Sequence, residues 1–342
     1  MKTKFILYSL VGLLAITILS FANLSSKTTI SSLTNDELAN LSVQEVLIEL
    51  KDEKPIHYIH KENADSVRMG YELVHFGQLK NKSNKRISKF FVCTDCHNQV
   101  KEVRNLSIET ADERLRYGIK HQIPFLPAST FYGLYNKRHW YNGDYYKKYG
   151  DLVLPTRDTL INAIQLCAVQ CSQGRPMQTW ELRAVLHYLR SIDYKIKDLS
   201  LTPQELEYIK LHLGTSSPKT IKMIKSKYAE TNPATFGDPY ISISDDAVGN
   251  IENGKYIFEK GCLHCHQLGK NITAFEFDAE SLTFSFLEKK LKKHSNYSVP
   301  YIVRKGTYAT SGKRQYMPQY PLEKMNKQQL IDLIFYIKSK SK

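Results

Sequence analysis

The chain has 342 residues and a net charge of +14 at pH 7, and 42% of its residues are hydrophobic. That length accommodates two modest domains besides a targeting segment, and the hydrophobic share is sufficient for ordinary buried cores. The excess of lysine and arginine favours anionic ligands and acidic protein partners. Nucleic acid is excluded as a partner if the chain is exported, as its first residues indicate.

The N-terminal segment has the pattern of an export signal. Lys2 and Lys4 precede an uncharged, largely apolar run from Phe5 to Ala22, and the run ends in small residues that suit a signal peptidase. It is also about long enough to span a membrane. We therefore predict that residues 1–22 direct the chain to the periplasm, either as a cleaved signal or as an anchor in the inner membrane.

Residues 23–60 are predicted to be a linker that leads into one short helix. Thr34 and Glu37 have the spacing of a capping box, and an apolar run follows from Leu38. A first domain is predicted over residues 61–195.

The first domain is predicted to open with a helix over 65–78, with Met69, Leu73 and Phe76 on one face. Two more helices are predicted over 158–170 and 178–192. Between these elements lies an aromatic stretch with several Gly and Pro residues, which is typical of a loop that wraps a ligand.

The second half of the chain is predicted to hold a linker and a second domain. Residues 196–244 form the linker, which includes a helix from Pro203 to Leu213, and residues 245–342 form the domain. No long strand pattern occurs anywhere in the chain. The predicted fold class is therefore mainly α. Two C-x-x-C-H strings, one in each predicted domain, add the prediction that these are two haem domains in tandem.

Two strings of the form C-x-x-C-H occur, CTDCH at 93–97 and CLHCH at 262–266. In such strings two thiols add to the vinyl groups of one haem, and the adjacent histidine reaches its iron. A zinc site would need all four thiolates in one place, and two disulfides are the other alternative. Two matches in one exported chain favour two covalently bound haem c groups. The residues that would hold them are Cys93, Cys96 and His97 for the first haem and Cys262, Cys265 and His266 for the second.

The second domain has the order of elements found in class I cytochromes c. A helix precedes CLHCH, and the loop QYMPQY precedes a terminal helix, NKQQLIDLIFYIKS. Met317 stands in that loop before Pro318 and is the predicted second ligand of this haem iron, with Met325 and His294 as alternatives. A thioether ligand raises the reduction potential and suits electron transfer.

A third pair of cysteines lies in LCAVQCSQGRPM, at Cys167 and Cys171, without a following histidine. Three interpretations remain open: a disulfide, two structural thiols, or a thiolate ligand to the first haem iron. A thiolate would lower the reduction potential of that iron, which suits a site that reacts with sulfur compounds. Met177 and Met69 are further candidate ligands in this domain.

The first domain resembles the dihaem thiosulfate dehydrogenases and, more distantly, the haem subunit of the SoxAX cytochromes. The thiosulfate dehydrogenases carry a helix with Ile-Asn-x-Cys, then Ser, Gly, and Lys or Arg at fixed spacing. Here Ile164, Cys167, Gly174 and Arg175 match that pattern, and Cys171 replaces the serine. The strings VRMGYELV and ELRAVLHYL are similar to the flanking helices, so that the resemblance covers about residues 65–195.

The resemblance implies that thiosulfate is oxidised to tetrathionate, or the reverse, at a first haem ligated by His97 and Cys167. Arg175, and Arg157 with it, would bind the sulfur oxyanion. The second haem, ligated by His266 and Met317, would pass electrons to a soluble cytochrome or terminal oxidase. Two other functions remain open: a dihaem electron carrier without enzymatic activity, and a peroxidase-like enzyme, which would need an open haem face.

Overall fold

The computed structural model describes residues 33–81, 85–231, 233–240, 246–273, 275–291, 295–307 and 312–341. Within these ranges the chain is mainly helical and contains no β-strand, only isolated β-bridges. The predicted mainly α class is therefore confirmed, whereas the tandem arrangement of two haem domains stays a prediction. In the same ranges, no helix combines the length and apolar character needed to cross a membrane. The predicted signal or anchor at 1–22 and the alternative ligand His294 lie outside the described residues.

Fourteen α-helices occur in the described ranges. They are α1 (Asn35–Asn40), α2 (Val43–Glu49), α3 (Ala64–Phe76), α4 (Ala111–His121), α5 (Tyr145–Tyr149), α6 (Leu160–Leu166), α7 (Thr179–Ser191), α8 (Pro203–His212), α9 (Pro218–Lys225), α10 (Ile251–Ile257), α11 (Leu263–His266), α12 (Ser281–Leu291), α13 (Val299–Lys305) and α14 (Lys327–Lys340).

The first predicted helix is two helices. Thr34 and Glu37 form the predicted capping box of α1, but Ser42 then caps α2 by accepting hydrogen bonds from two backbone N–H groups of its first turn. A side chain that satisfies such groups starts a new helix. Helix α3 ends where Gly77 adopts a left-handed conformation, and its predicted inward residue Phe76 is 38% exposed.

Two helix pairs cross at very short range, α3 with α7 and α10 with α14. A Cβ atom added to Gly70 would lie 2.1 Å from the carbonyl oxygen of Ala184, and one added to Gly254 would lie 2.1 Å from that of Asp332. Only glycine allows the two backbones to approach this closely. Each pair packs in a separate hydrophobic core, and each core contains one of the C-x-x-C-H turns at its edge.

The segments predicted as linkers form a third core instead. Helices α1 and α2 pack against α8, α9 and the chain that follows α7. The fully or almost fully buried members of this core include Leu38, Val46, Leu47, Leu50, Tyr194, Ile196, Leu199, Ile209 and Ile224. Helices this short are stable only when an apolar face is packed against a neighbour, so residues 33–60 and 196–228 depend on one another.

Helix α4 belongs to the core of the second half, although it lies within the predicted first domain. Leu115 and Phe125 are members of that core. The backbone N–H of Phe125 donates to the carbonyl of Lys260 (2.9 Å), and the hydroxyl of Tyr256 donates to the carbonyl of Ile123 (2.6 Å). The division into domains at residues 195 and 245 therefore does not coincide with the division between hydrophobic cores.

A buried ion pair also joins the two halves. The Arg114 guanidinium contacts the Glu102 carboxylate, with 3.0 Å between Nε and Oε2, and both side chains are 4% exposed. Arg114 also donates to the carbonyl oxygens of Leu126 (2.6 Å) and Lys324 (3.0 Å). Burial alone would raise the pKa of the Glu102 carboxyl, but Arg114 and Lys324 lower it to about 2.

We expect Arg114→Met to lower the free energy of unfolding by about 3–5 kcal/mol, because it leaves the buried Glu102 carboxylate without its main partner. Arg116→Met is the matched control on the same helix. Arg116 is 70% exposed and pairs with Glu113 at the surface, so its loss should change stability by less than about 0.5 kcal/mol. Denaturant unfolding followed by circular dichroism measures both.

The pH dependence gives a second check on the same pair. The folded-state pKa of Glu102, about 2, is below the value of about 4.3 for an unfolded glutamate. The contribution of Glu102 to the free energy of unfolding is therefore complete at a pH above its unfolded-state pKa. It is lost as the pH falls through its folded-state pKa. Two results would contradict the stabilising role of the Arg114–Glu102 pair: an equal fall in the free energy of unfolding in Arg114→Met and Arg116→Met, or a loss in Arg114→Met that stays the same in acid.

Candidate haem sites

The first C-x-x-C-H turn presents its histidine in the form that a metal requires. Cys93 begins a short 3₁₀ turn, and the backbone N–H of His97 donates to the carbonyl of Cys93 (3.0 Å). The Nδ1 atom of His97 lies 2.6 Å from the carbonyl oxygen of Ser129. Since a carbonyl only accepts, Nδ1 carries the proton and Nε2 is left with a lone pair.

The surroundings of His97 keep its imidazole neutral and oriented. Burial lowers the pKa of His97 to about 4. The ring of Phe131 stacks on the imidazole, with 4.3 Å between ring centroids and 19° between planes. A neutral, fixed imidazole with a bare Nε2 is a suitable iron ligand.

The second C-x-x-C-H turn repeats this arrangement. Nδ1 of His266 lies 2.6 Å from the carbonyl oxygen of Phe275, and Phe277 stacks on the ring at 4.8 Å and 20°. Burial lowers the pKa of His266. Cys262 ends a π-helical turn that continues α10, and the remainder of the turn is α11. Both histidines thus use a backbone carbonyl to fix the tautomer that leaves Nε2 as the ligand atom.

A large cavity extends from the first turn. Together with the open space at its mouth it encloses about 1590 Å³. Cys93, Cys96 and His97 line it, and so do Cys167 and Cys171. Its apolar walls are formed by Leu73, Ile87, Phe131, Leu160, Ile164, Val185 and Leu189. The shape and lining fit a large apolar ring system bound to the two thiols and the imidazole.

Trp140 provides a further test of that fit. Its side chain lines the cavity and is 8% exposed, and among the described residues its buried Nε1–H finds no hydrogen-bond acceptor. A buried donor left unpaired costs about 1–3 kcal/mol. A haem propionate is an acceptor that would satisfy this donor, so the residues present fit a haem.

The third cysteine pair lies in a π-helical turn at the wall of this cavity. The turn covers Cys167–Cys171, and the backbone N–H of Ser172 donates to the carbonyl of Cys167 (2.8 Å). Such turns are often found at functional sites. All six cysteines of the chain lie within the described residues and are free thiols, so the structure has no Cys167–Cys171 disulfide.

Two tyrosines make the environments of the two thiols different. The hydroxyl oxygens of Tyr149 and Tyr141 lie 3.3 and 3.5 Å from the Sγ atom of Cys171. A hydrogen bond with Cys167, these two phenols and the charge of Lys148 lower the pKa of Cys171 to about 6, although burial acts in the opposite direction. The same thiol–thiol contact and burial raise the pKa of Cys167.

Lys148 is a cation of this cavity that the sequence analysis missed. Its Nζ donates to Oε1 of Gln319 (3.0 Å) and lies over the rings of Tyr149 and Tyr316, 5.5 and 5.6 Å from their centroids. Burial lowers the pKa of Lys148 to about 8. No signal in the sequence separates this lysine from the many others, because its position depends on the fold of the aromatic stretch.

The structure corrects the expectation for Arg175. Its guanidinium forms a two-pronged ion pair with the fully buried Glu181, at 2.6 and 2.8 Å, and donates to the carbonyl oxygens of Lys85 and Pro176. These contacts fix the start of α7. Neither Arg175 nor Arg157 is among the described residues that line the cavity.

The loop around Met317 separates the two halves. Tyr316, Pro318 and Gln319 line the cavity of the first turn, whereas Met317 packs, partly buried, against the core of the second half. Alternate residues of an extended segment point in opposite directions. Met325, the predicted alternative, is 2% exposed and lies within the same core.

Two further contacts fix the Met317 loop and the two attachment turns. The backbone N–H of Thr307 donates to the carbonyl of Met317 (3.0 Å). The Sγ atom of Cys265 lies 4.0 Å from the carbonyl oxygen of Asp95. The two C-x-x-C-H turns are therefore direct neighbours.

The cytochrome c family model matches residues 251–341. The C-terminal part of the chain is a cytochrome c domain. Such domains bind haem covalently and transfer electrons, which supports haem c at Cys262, Cys265 and His266. The search of curated proteins and the search of solved structures found no match, so the resemblance of the first domain to thiosulfate dehydrogenases stays a prediction.

We expect Arg175→Met to act on stability, because it removes the partner of the fully buried Glu181 carboxylate. The free energy of unfolding should fall by about 3 kcal/mol. Arg183→Met, an exposed position on the same helix, should change it by less than about 0.5 kcal/mol. Denaturant unfolding measures both variants. If Arg175→Met has the same free energy of unfolding as the wild type, the ion pair with Glu181 is not the role of Arg175, and its predicted substrate-binding role has to be considered again.

Proposed function

We propose that this protein is a periplasmic dihaem c-type cytochrome that interconverts thiosulfate and tetrathionate at the cavity of the first C-x-x-C-H turn. The observation that carries the proposal is that Cys167 and Cys171 line the same cavity as Cys93, Cys96 and His97. Two thiols in one cavity with a haem attachment site suit a site that reacts with sulfur compounds.

The first haem is supported by three features of its cavity. Its histidine has the same hydrogen bond to a backbone carbonyl as His266 of the cytochrome c domain. The unpaired Nε1–H of Trp140 suits a propionate. The close α3–α7 crossing repeats that of α10 and α14.

The chain's own groups then have distinct tasks. His97 and Cys167 would hold the iron of the first haem, and a thiolate ligand would give that iron a low reduction potential. Lys148 attracts the sulfur oxyanion, in the place of Arg175. The net charge of +14 raises the local concentration of anions further.

The cytochrome c domain would pass the electrons on, and His266 and Met317 are the residues that would hold its iron. The contact between Cys265 and Asp95 places the two haem attachment turns side by side, which favours direct exchange between the haems. The acceptor is a soluble cytochrome or terminal oxidase, and residues 1–22 are the proposed export signal or membrane anchor.

A dihaem electron carrier without enzymatic activity is the second candidate. The match of residues 251–341 to cytochrome c favours it, since that domain implies electron transfer by itself. In this case, Cys167 would only adjust the reduction potential of the first haem iron, and neither thiosulfate nor tetrathionate would react.

We expect the mature protein to carry two haems. Cys262→Ala with Cys265→Ala should leave one haem per chain, and Cys93→Ala with Cys96→Ala should also leave one, because each pair supplies the thioether bonds of one haem. Intact-mass measurement with a haem assay counts them. A wild type with one haem, unchanged in the Cys93/Cys96 variant, would show that the first cavity holds none.

We expect the purified holoprotein to oxidise thiosulfate with an artificial acceptor or to reduce tetrathionate with an artificial donor. Cys167→Ser should abolish both activities and the low-anisotropy EPR signal of a ferric haem with histidine and thiolate ligands. Cys171→Ser is the control for the signal, which it should retain. A wild type that turns over neither compound would leave the electron carrier as the function.

A further inference from the structure

We propose that Cys171 is a catalytic nucleophile of the first site, whose sulfur exchanges with tetrathionate and carries a covalent thiosulfonate. This inference rests on the proposed function and adds a residue and a chemical step to it. It gives the two neighbouring thiols separate roles, with Cys167 bound to iron and Cys171 reacting with the substrate.

The phenol groups around Cys171 are the first argument. Tyr149 and Tyr141 each place a hydroxyl within hydrogen-bonding distance of its Sγ atom, at 3.3 and 3.5 Å. Two such donors stabilise a thiolate, which is the nucleophilic form of cysteine. The rings of Tyr141, Tyr145 and Tyr149 pack against one another with centroids 5.1 to 6.3 Å apart, so the donors are held in place.

The cavity supplies what a dianionic substrate needs to approach a thiolate. Cys171 and Lys148 both line it, and the Nζ of Lys148 donates to Oε1 of Gln319 (3.0 Å). A nearby cation offsets the repulsion between a thiolate and an incoming anion. The same cation stabilises the negative charge of the departing thiosulfate.

With His97 as one ligand, only one of the two thiols would be needed to hold the haem iron. A thiolate that donates a lone pair to iron is a weaker nucleophile than a free thiolate. The second thiol is then left to react, and its contacts with Tyr149 and Tyr141 distinguish it from Cys167. No corresponding phenol contact occurs at Cys167 among the described residues.

The step is a sulfur–sulfur exchange. The Cys171 thiolate attacks one of the two inner sulfur atoms of tetrathionate and forms a new S–S bond. The central S–S bond breaks, and thiosulfate leaves with its electron pair. The product is Cys171–S–S–SO₃⁻, and no oxidant or reductant is consumed. In reverse, the outer sulfur of thiosulfate attacks the sulfur next to Cys171, and the thiolate leaves as tetrathionate forms.

The test treats the native holoprotein with tetrathionate and maps the modified peptide by mass spectrometry. We expect one thiosulfate unit on Cys171 and one thiosulfate released per chain. The four attachment cysteines are thioethers in the holoprotein, so Cys167 is the internal control for indiscriminate reaction. Cys171→Ser should form no adduct while it keeps the EPR signal of the thiolate-ligated haem.

Two variants test the groups that assist the reaction. Tyr149→Phe should slow adduct formation about fivefold, the effect of one lost hydrogen bond. Lys148→Met should slow it about tenfold and reduce its dependence on salt, because electrostatic enrichment of the anion is lost. Unchanged rates in both variants would overturn the assigned roles.

The outcomes separate this inference from the proposed function. Turnover of thiosulfate that survives in Cys171→Ser, or a stable adduct on Cys167, would overturn the inference and leave the function standing. A wild type without turnover would overturn the function, and the catalytic role of Cys171 with it.

Discussion

The relation between the two halves of the molecule depends on the buried guanidinium of Arg114. Its hydrogen bonds join Glu102, which follows the first attachment turn, to the carbonyl of Lys324, which follows the Met317 loop. A buried charge is tolerated only when its donors are satisfied. The positions of these two segments are therefore coupled, and helix α4, which carries Arg114, must lie against the cytochrome c domain.

This coupling makes the Met317 loop a wall shared by two sites. Tyr316 and Gln319 face the first cavity and contact Lys148, whereas Met317 faces the opposite core. The buried Arg304 donates to the carbonyl oxygens of Tyr320 (3.2 Å) and Met325 (2.6 Å) and fixes the chain that leaves the loop. The loop between the two sites is therefore held in place at its C-terminal end.

The first cavity combines hydrophobic walls with a few polar groups on one side. Leu73, Leu160 and Val185 form apolar surface, while the two thiols, the tyrosines and Lys148 are grouped together. Between partly buried groups, a charge interacts more strongly with its neighbours than it does at the surface. A sulfur anion beside Lys148 and two phenols is stabilised for that reason, and this is the basis of the proposed sulfur chemistry.

The features that the sequence determined are those that depend on a few neighbouring residues. The C-x-x-C-H turns, the capping box at Thr34 and the helices near Cys167 follow from local spacing and hydrogen bonding. Arg175 was expected at the substrate because it lies close to Cys167 in sequence, but packing directs it to Glu181. Lys148 and the phenols of Tyr141 and Tyr149 come from a distant stretch. Only the tertiary structure places them at Cys171 and assembles the predicted linkers into a third core, because burial and ion pairing depend on which surfaces meet after the chain has folded.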